Sequence, residues 1–175
     1  MNATVRMLDW PAETEEPQGL ALWDAVSIAR AVRGTANADF RVSGVEIDSR
    51  DVVPGDLFVA LKGAATDGHA YLDAAFAKGA VAALVDRPID RPHVLVSDTS
   101  SALEALAKAA RNRCLARVIG VTGSVGKTGV KEALFQALDR ASHGRAHRSV
   151  KSYNNHVGVP LSLARMPQGA RFRCV

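Results

Sequence analysis

The stretch RVIGVTGSVGKTGVKEAL, residues 117–134, decides the fold prediction because it combines three successive patterns. A β-branched run predicts a strand, the glycines predict a tight turn, and the run after them predicts a helix. The Gly-Lys-Thr at residues 126–128 is typical of a loop that binds nucleotide phosphates, but the common motif has Gly, four residues and then Gly-Lys-Ser/Thr. The position of that first glycine is occupied here by Val121, and the nearest glycines are Gly120 and Gly123.

The context of this stretch indicates a phosphate-binding loop all the same. We predict that Val118–Val121 is a buried strand and that a helix begins near Lys127. N–H groups at a helix start attract an anion, and glycines let the backbone approach phosphate oxygens. Lys127 would reach the β- and γ-phosphates, and the Thr128 hydroxyl would coordinate Mg²⁺. The alternative is a glycine-rich turn with an exposed lysine. The candidate nucleotide site is the run Thr122, Gly123, Ser124, Val125, Gly126, Lys127 and Thr128.

The composition fits one ordinary domain or two small ones. The 175 residues are 47% hydrophobic and 23% charged, and they contain no run of about 18 apolar residues that would predict a membrane span. The first residues, MNATVRMLDWPAETEEPQ, lack the apolar segment of a secretory signal. Cys114 and Cys174 lack metal-type spacing, which suits a reducing compartment. We therefore predict a cytoplasmic protein.

The net charge of +4 is unevenly distributed along the chain. Residues 140–175 contain seven Lys and Arg and no acid, whereas residues 1–139 contain all 18 Asp and Glu. A basic end of this kind could bind nucleic acid or polyphosphate. It offers only Tyr153 and Phe172 for stacking on bases, however, so we predict no nucleic-acid partner. We favour the interpretation that the chain is cut before its next acidic segment.

Strand-like and helix-like segments alternate along the chain, which predicts an α/β fold with largely parallel strands. Residues 1–18 have no periodicity and are predicted to be a tail. We predict a small N-terminal α/β domain over residues 19–113. Residues 114–175 would then begin a phosphate-loop, Rossmann-like domain and be too short to close its sheet.

Two of the predicted helices have clear end signals. The periodicity of GLALWDAVSIARAVRG predicts a helix over residues 19–34. A second helix is predicted over residues 98–114, where Ser101 and Glu104 have capping-box spacing. Between the two, RVSGVEID at residues 41–48 alternates like a strand.

Two further stretches place polar side chains at predicted turns. Ser49 and Arg50 follow a strand, where a hydroxyl and a guanidinium suit phosphate or carbonyl oxygens. Asp67 is a plausible helix N-cap. Asn154 and Asn155 form a polar loop that could contact a ligand or serve as turn formers. Taken alone, turn and cap roles explain these residues as well as binding does.

A histidine pair also has a spacing that metal sites use. His143 and His147 are four residues apart. Gly144 interrupts the helix that this spacing would need, and no third ligand is near in the sequence. We therefore predict no metal site at these histidines.

Three blocks of sequence together resemble the muramyl (Mur) ligases of bacterial cell-wall synthesis. The block DSR…PGDLFVALKG…DGHAYLDAAFAKGA, residues 48–80, is similar to their uridine-nucleotide-binding N-terminal domain. GVTGSVGKT, residues 120–128, resembles their variant ATP loop, Thr-Gly-x-x-Gly-Lys-Thr/Ser, which accounts for the unusual spacing. NNHVGVPLSLARMP, residues 154–167, is similar to the family member that adds D-alanyl-D-alanine. The resemblance covers about residues 20–170.

The resemblance implies an ATP-dependent amide ligase. The terminal carboxylate of UDP-N-acetylmuramoyl-tripeptide would become an acyl phosphate, which the amine of D-alanyl-D-alanine would attack. By position, Lys127 would be the catalytic residue that serves ATP, and Thr128 would bind Mg²⁺. The family's UDP-facing and sugar- or metal-facing roles carry over to Ser49, Arg50, Asn154 and Asn155. We further predict a monomer.

The sequence departs from the family in its length. Family members continue through a full central ATPase domain and a C-terminal domain, and no apolar strand ending in an acid follows residue 129 here. We therefore predict that residues 1–175 alone do not catalyse the ligation. Two alternatives are the related ligase that forms the tripeptide and a non-catalytic module that binds the UDP-sugar peptide. A phosphate-loop kinase or GTPase is disfavoured by the loop spacing and by the lack of an Asn-Lys-x-Asp guanine motif.

Overall fold

The computed structural model describes residues 21–63, 66–121, 124–149 and 157–174. Within these residues the strands are β1 (Trp23–Asp24), β2 (Thr35–Ala36), β3 (Arg41–Val42), β4 (Gly44–Glu46), β5 (Asp56–Val59), β6 (Ala82–Val85), β7 (His93–Leu95), β8 (Arg117–Ile119), β9 (Ala146–Arg148) and β10 (Phe172–Cys174). The helices are α1 (Ala25–Val32), α2 (Leu72–Ala77), α3 (Thr99–Arg113), α4 (Lys127–Ala141) and α5 (Gly158–Ala164), and a 3₁₀ turn at Gly68–Tyr71 precedes α2.

The first sheet has the strand order β2-β7-β6-β5-β4, and its neighbouring strands are parallel except for β2 and β7. β5 and β6 are buried along their whole length, as is typical of parallel strands covered on both faces. Phe58 and Ala75 pack together in the cluster on the α2 side. Ile28, Leu84 and Leu103 belong to the larger cluster that α1 and α3 cover. The predicted α/β fold with largely parallel strands is confirmed.

Side-chain caps set the starts of α1 and α3, and they differ from the sequence prediction. An Asp24 carboxylate oxygen accepts the Ser27 N–H at 2.7 Å, so α1 begins at Ala25 rather than at residue 19. The Asp98 carboxylate accepts the Ser101 N–H at 2.7 Å, so Ser101 lies inside the first turn of α3. The predicted capping box of Ser101 was therefore wrong, because a carboxylate one turn earlier takes that N–H.

The second sheet is smaller and has the order β8-β10-β9, with both pairs parallel. α4 packs against β9 and β10. The prediction of a buried strand over Val118–Val121 was wrong, since Val118 is 41% exposed. Val118 is exposed because β8 lies at the edge of this sheet.

α5 joins the two parts of the fold. It packs on α3 and β4, and its Leu161 and Ala164 belong to the same core cluster as Ile28 of α1. The Trp23 indole Nε1 donates a hydrogen bond to the Ala164 carbonyl at 2.9 Å. No pattern in the sequence predicts this packing. None of the helices in the described ranges is long and apolar enough to cross a membrane.

Candidate functional site

The predicted phosphate loop lies between the carboxyl end of β8 and the start of α4. Gly126 is the N-cap of α4 and has φ +79°, a left-handed conformation that glycine adopts at little cost. The first intrahelical bond runs from the Val130 N–H to the Gly126 carbonyl at 3.0 Å. No acidic residue lies in the first turn of α4. The N–H groups and the positive dipole end of the helix therefore meet no negative side chain there.

The loop is open to a ligand. A Cβ atom added at Gly120 or Gly126 would meet no atom within 4 Å. Val125 is 92% exposed, and Thr128 is also exposed. The Lys127 ammonium lies over the loop, 3.5 Å from the Ser124 carbonyl oxygen. An anion at this position would meet backbone N–H groups, one ammonium group and one hydroxyl group.

The loop with Asp48, Ser49 and Arg50 follows the carboxyl end of β4. The Arg50 guanidinium grips the Asp48 carboxylate through Nε–Oδ1 at 2.9 Å and Nη2–Oδ2 at 2.6 Å. This ion pair raises the pKa of Arg50. The Arg50 side chain is 86% exposed, and Ser49 is half-buried. A phosphate or carbonyl ligand would have to compete with Asp48 for the Arg50 fork or approach its exposed edge.

A polar cluster that sequence reasoning missed lies beyond β6 in the same sheet. Asp67 caps the 3₁₀ turn as predicted, accepting the His69 N–H at 2.9 Å. The buried His69 ring lies between two carboxylates, with Nδ1 2.7 Å from Asp67 and Nε2 3.0 Å from Asp86. Arg87 donates to the second Asp67 oxygen at 2.8 Å. The His69 N–H and the Arg87 guanidinium hold the pKa of Asp67 well below its usual range.

The position of this cluster in the sheet is typical of a ligand site. Asp86 directly follows β6, and Asp48 lies two residues beyond β4. Both therefore lie near the carboxyl edge of the first sheet, the edge where open α/β sheets bind ligands. In the sequence, Asp86 directly follows the apolar run VAALV, residues 81–85, and this pattern could have flagged it as an acid at the end of a strand.

Two contacts connect the parts that carry the candidate residues. The buried Lys131 ammonium on α4 donates to the Ser149 hydroxyl at 2.9 Å and to its carbonyl at 3.3 Å. Ser149 comes just before residues 150–156, which carry the Asn-Asn pair. At the other end of α5, Arg165 pairs with Glu46 of β4. Neither contact was predicted, because a lysine or arginine gives no sequence signal of its distant partner.

The structure brings some predicted site residues together. Ser124, Val125, Gly126, Lys127 and Thr128 form one continuous surface at the start of α4. Thr122, Gly123, Asn154 and Asn155 lie outside the described residues, so their roles stay predictions.

The His147 Nε2 lies 3.2 Å from the Ser162 carbonyl oxygen of α5, which indicates that this nitrogen carries the proton and donates it.

Two family models match the chain. The model described as "Mur ligase family, catalytic domain" matches residues 41–117, and the model described as "Mur ligase middle domain" matches residues 121–174. The boundary between the matches falls at β8, directly before the phosphate loop. Most of the described structure therefore lies within one match or the other.

The chain is also similar to individual proteins. It is 40% identical over 151 residues to the UDP-N-acetylmuramoyl-tripeptide–D-alanyl-D-alanine ligase of Bacillus subtilis, covering 81% of this chain and 33% of that relative. The crystal structure of MurF from Acinetobacter baumannii is similar with a TM-score of 0.71 and 31% identity, covering 87% of this chain and 35% of that one. MurF ligase from Thermotoga maritima in complex with ADP has a TM-score of 0.53 and 34% identity, with 75% and 31% covered. The chain thus spans about one third of the length of these proteins.

Proposed function

The chain belongs to the Mur ligase family, and on that premise we propose that it carries the ATP-phosphate and uridine-nucleotide sites of a peptidoglycan-precursor ligase. The reaction would be the addition of D-alanyl-D-alanine to UDP-N-acetylmuramoyl-tripeptide, the two substrates in the name of the Bacillus subtilis relative, with ATP as the co-substrate that the family resemblance implies. The observation that carries the proposal is Gly126, which holds a left-handed turn directly before Lys127 at the start of α4.

The residues present fit the phosphates of ATP. The backbone around Gly120 and Gly126 faces open space, and no acid lies in the first turn of α4 to repel an anion. Lys127 would neutralise charge on the outer phosphates. Bound ATP would supply the phosphoryl group that activates the tripeptide carboxylate.

The residues also fit a magnesium ion. The exposed Thr128 hydroxyl is an oxygen ligand of the kind that Mg²⁺ uses beside phosphates and waters. Mg²⁺ would then draw charge from the phosphates next to Lys127. Thr128 is therefore the residue we propose for the metal.

We propose that the uridine nucleotide binds at the carboxyl edge of the first sheet, near Ser49 and Arg50. The support is that polar side chains gather at that edge, with Asp48 after β4 and Asp86 after β6. We keep Asn154 and Asn155 as proposed contacts to the sugar and metal region. The domain division at residues 19–113 and 114–175 is likewise proposed, as is a cytoplasmic location, where ATP and UDP-linked precursors occur together.

Calorimetric titration of the chain with Mg-ATP and, separately, with UDP-N-acetylmuramoyl-tripeptide tests both sites. Lys127→Ala should weaken ATP binding by about tenfold or more, because a charge-assisted contact is lost, and should leave the uridine ligand unaffected. Arg50→Ala should do the reverse. Lys108→Ala on the exposed side of α3 is the matched control. ATP affinity that is unchanged in Lys127→Ala would contradict the proposal.

An ADP-release assay with all three substrates then separates ligase from binding module. Turnover that depends on D-alanyl-D-alanine and disappears in Lys127→Ala supports a competent ligase. Binding of both nucleotides without turnover supports a module that needs further protein for catalysis. Turnover with a single amino acid in place of the dipeptide, on UDP-N-acetylmuramoyl-dipeptide, would instead indicate the tripeptide-forming relative.

A further inference from the structure

A cationic cleft lies at the amino ends of β8 and β10, at the opposite end of β8 from the phosphate loop. It has a volume of about 760 Å³, within the range of small-molecule sites. Its lining combines three arginines with an apolar wall, and no acidic residue is among the described residues that line it. The arginines are Arg113, Arg117 and Arg171, and the wall comprises Leu115, Ala170 and Phe172.

Arg113 lines this cleft, and two of its guanidinium donors are buried without a partner in the described part of the chain. Its guanidinium carbon lies 3.4 Å from the centroid of the Trp23 ring, so the ring covers one face of the guanidinium. Its Nε and Nη2 are buried and have no hydrogen-bond partner among the described residues. Burial lowers the pKa of Arg113 accordingly. Buried donors without acceptors are costly and indicate a missing partner such as an ion.

The equivalent guanidinium atoms of Arg50 show what kind of partner would fit Arg113. In Arg50, Nε and Nη2 are the atoms that grip the two oxygens of the Asp48 carboxylate. Arg113 lacks such a carboxylate, although stacking on Trp23 fixes its plane. A carboxylate or phosphate group has the matching pair of oxygens.

Arg111 and Arg113 both lie in the last turn of α3, where the helix dipole favours a cation. Arg111 donates to the Cys114 carbonyl at 3.0 Å. The surroundings of the cleft add further positive charge. Arg117 and Arg171 are adjacent in the fold, since the Arg117 N–H donates to the Arg171 carbonyl at 2.9 Å. Residues 140–175, which supply five of the eight described residues that line the cleft, contain no acid.

We propose that this cleft binds a small organic oxyanion, a phosphate or carboxylate group on a compact apolar body. The oxyanion would accept the Nε–H and Nη2–H of Arg113, with Arg117 adding charge at the rim. The apolar body would cover Leu115, which is 98% exposed. This site is separate from the phosphate loop and does not depend on the ligase function.

The test is an NMR titration of the ¹⁵N-labelled chain with phenyl phosphate, benzoate and, as the neutral probe, phenol. Lys127→Ala serves as the background, so that binding at the phosphate loop does not contribute. We expect saturable shifts at the Arg113 Nε–H with at least one of the two anions and no saturation with phenol. Preference for phenyl phosphate or for benzoate identifies the group that the site takes.

Arg113→Lys keeps the charge but removes the fork, and it should weaken binding by about tenfold. Arg117→Gln, at an exposed position, should weaken it by about threefold without affecting the fold. Arg140→Gln on α4 removes an arginine outside the cleft and should change affinity by less than about twofold. The proposal is overturned if neither anion saturates, or if both cleft variants bind as tightly as Arg140→Gln.

Discussion

Arg165 and Glu46, 119 positions apart in the chain, form an ion pair between the end of α5 and the end of β4, in which Glu46 is buried and Arg165 is half-buried. The Arg165 Nε also donates to the Val45 carbonyl at 2.6 Å. The second carboxylate oxygen of Glu46 accepts the Ile47 N–H at 2.8 Å. The pair therefore fastens α5 to the beginning of the loop at residues 48–50, which we propose for the uridine nucleotide.

Arg165→Met should destabilise the chain by about 3 kcal/mol, because it leaves the Glu46 carboxylate buried without its counter-ion. Urea unfolding measures the loss as a lower midpoint at unchanged slope. Arg50→Gln is the matched control, since its ion pair is exposed and should lower the midpoint much less. The double variant Glu46→Gln, Arg165→Met should recover part of the loss. An Arg165→Met midpoint equal to that of Arg50→Gln would exclude a stabilising pair.

Two glycines at the start of α4 should respond to alanine in opposite directions. Gly126→Ala forces a side chain into a left-handed backbone with φ +79° and should cost about 1–2 kcal/mol. Gly129→Ala lies within the helix with open space around its Cβ and should gain about 0.5–1 kcal/mol. Thermal unfolding of the two variants gives the comparison. Stabilisation by both would show that the Gly126 turn is not required.

The contact between Lys131 and Ser149 should behave as a coupled pair. Ser149→Ala removes one of two acceptors from a buried ammonium and should cost about 2 kcal/mol. In a Lys131→Met background the same change should cost less than about 1 kcal/mol, because no buried charge remains. A double-mutant cycle from urea unfolding gives the coupling energy. Equal costs in both backgrounds would show that the two side chains act independently.

His147 should make the fold sensitive to mild acid. Burial, with the nearby Arg173 charge, lowers the pKa of His147 to about 4. The unfolded chain then binds a proton near pH 6.5 that the folded chain takes up only near pH 4, so stability falls as pH falls through this window. The loss should be about 3 kcal/mol and level off below pH 4.

His147→Gln should flatten the pH dependence of the unfolding free energy between pH 6.5 and 4.5. The acidic N-caps Asp24 and Asp98 have pKa values below their usual range and lose their contribution only at lower pH. A slope that persists in His147→Gln would assign the effect to other groups.

Local patterns in the sequence were enough to predict several elements. The alternating run at residues 41–48 marked β4, the periodic runs marked α1 and α3, and the glycine at position 126 marked the turn before α4. These predictions rest on backbone preferences and on apolar periodicity, which neighbouring residues determine. The capping error at Ser101 was also local, because Asp98 offers the stronger acceptor three residues earlier.

Long-range packing escaped prediction. No pattern in residues 158–164 indicates that Leu161 and Ala164 pack into the core of the first sheet. Val118 looks like an interior strand residue in sequence, yet its exposure follows from the place of β8 at the edge of its sheet. The unsatisfied donors of Arg113 could not be predicted either. Only the folded structure shows that Arg113 stacks on Trp23 and that its Nε and Nη2 are buried without acceptors among the described residues.

The hydrogen bond from Trp23 to the Ala164 carbonyl spans 141 positions, so it can form only late in translation. When the strands of the first sheet leave the ribosome, Leu161, which packs on their apolar side, has not yet emerged. At about 5–20 residues per second, translation leaves that side exposed for several seconds before α5 emerges. The nascent chain would need a chaperone most during this interval, and shortening it by faster elongation should reduce aggregation during synthesis.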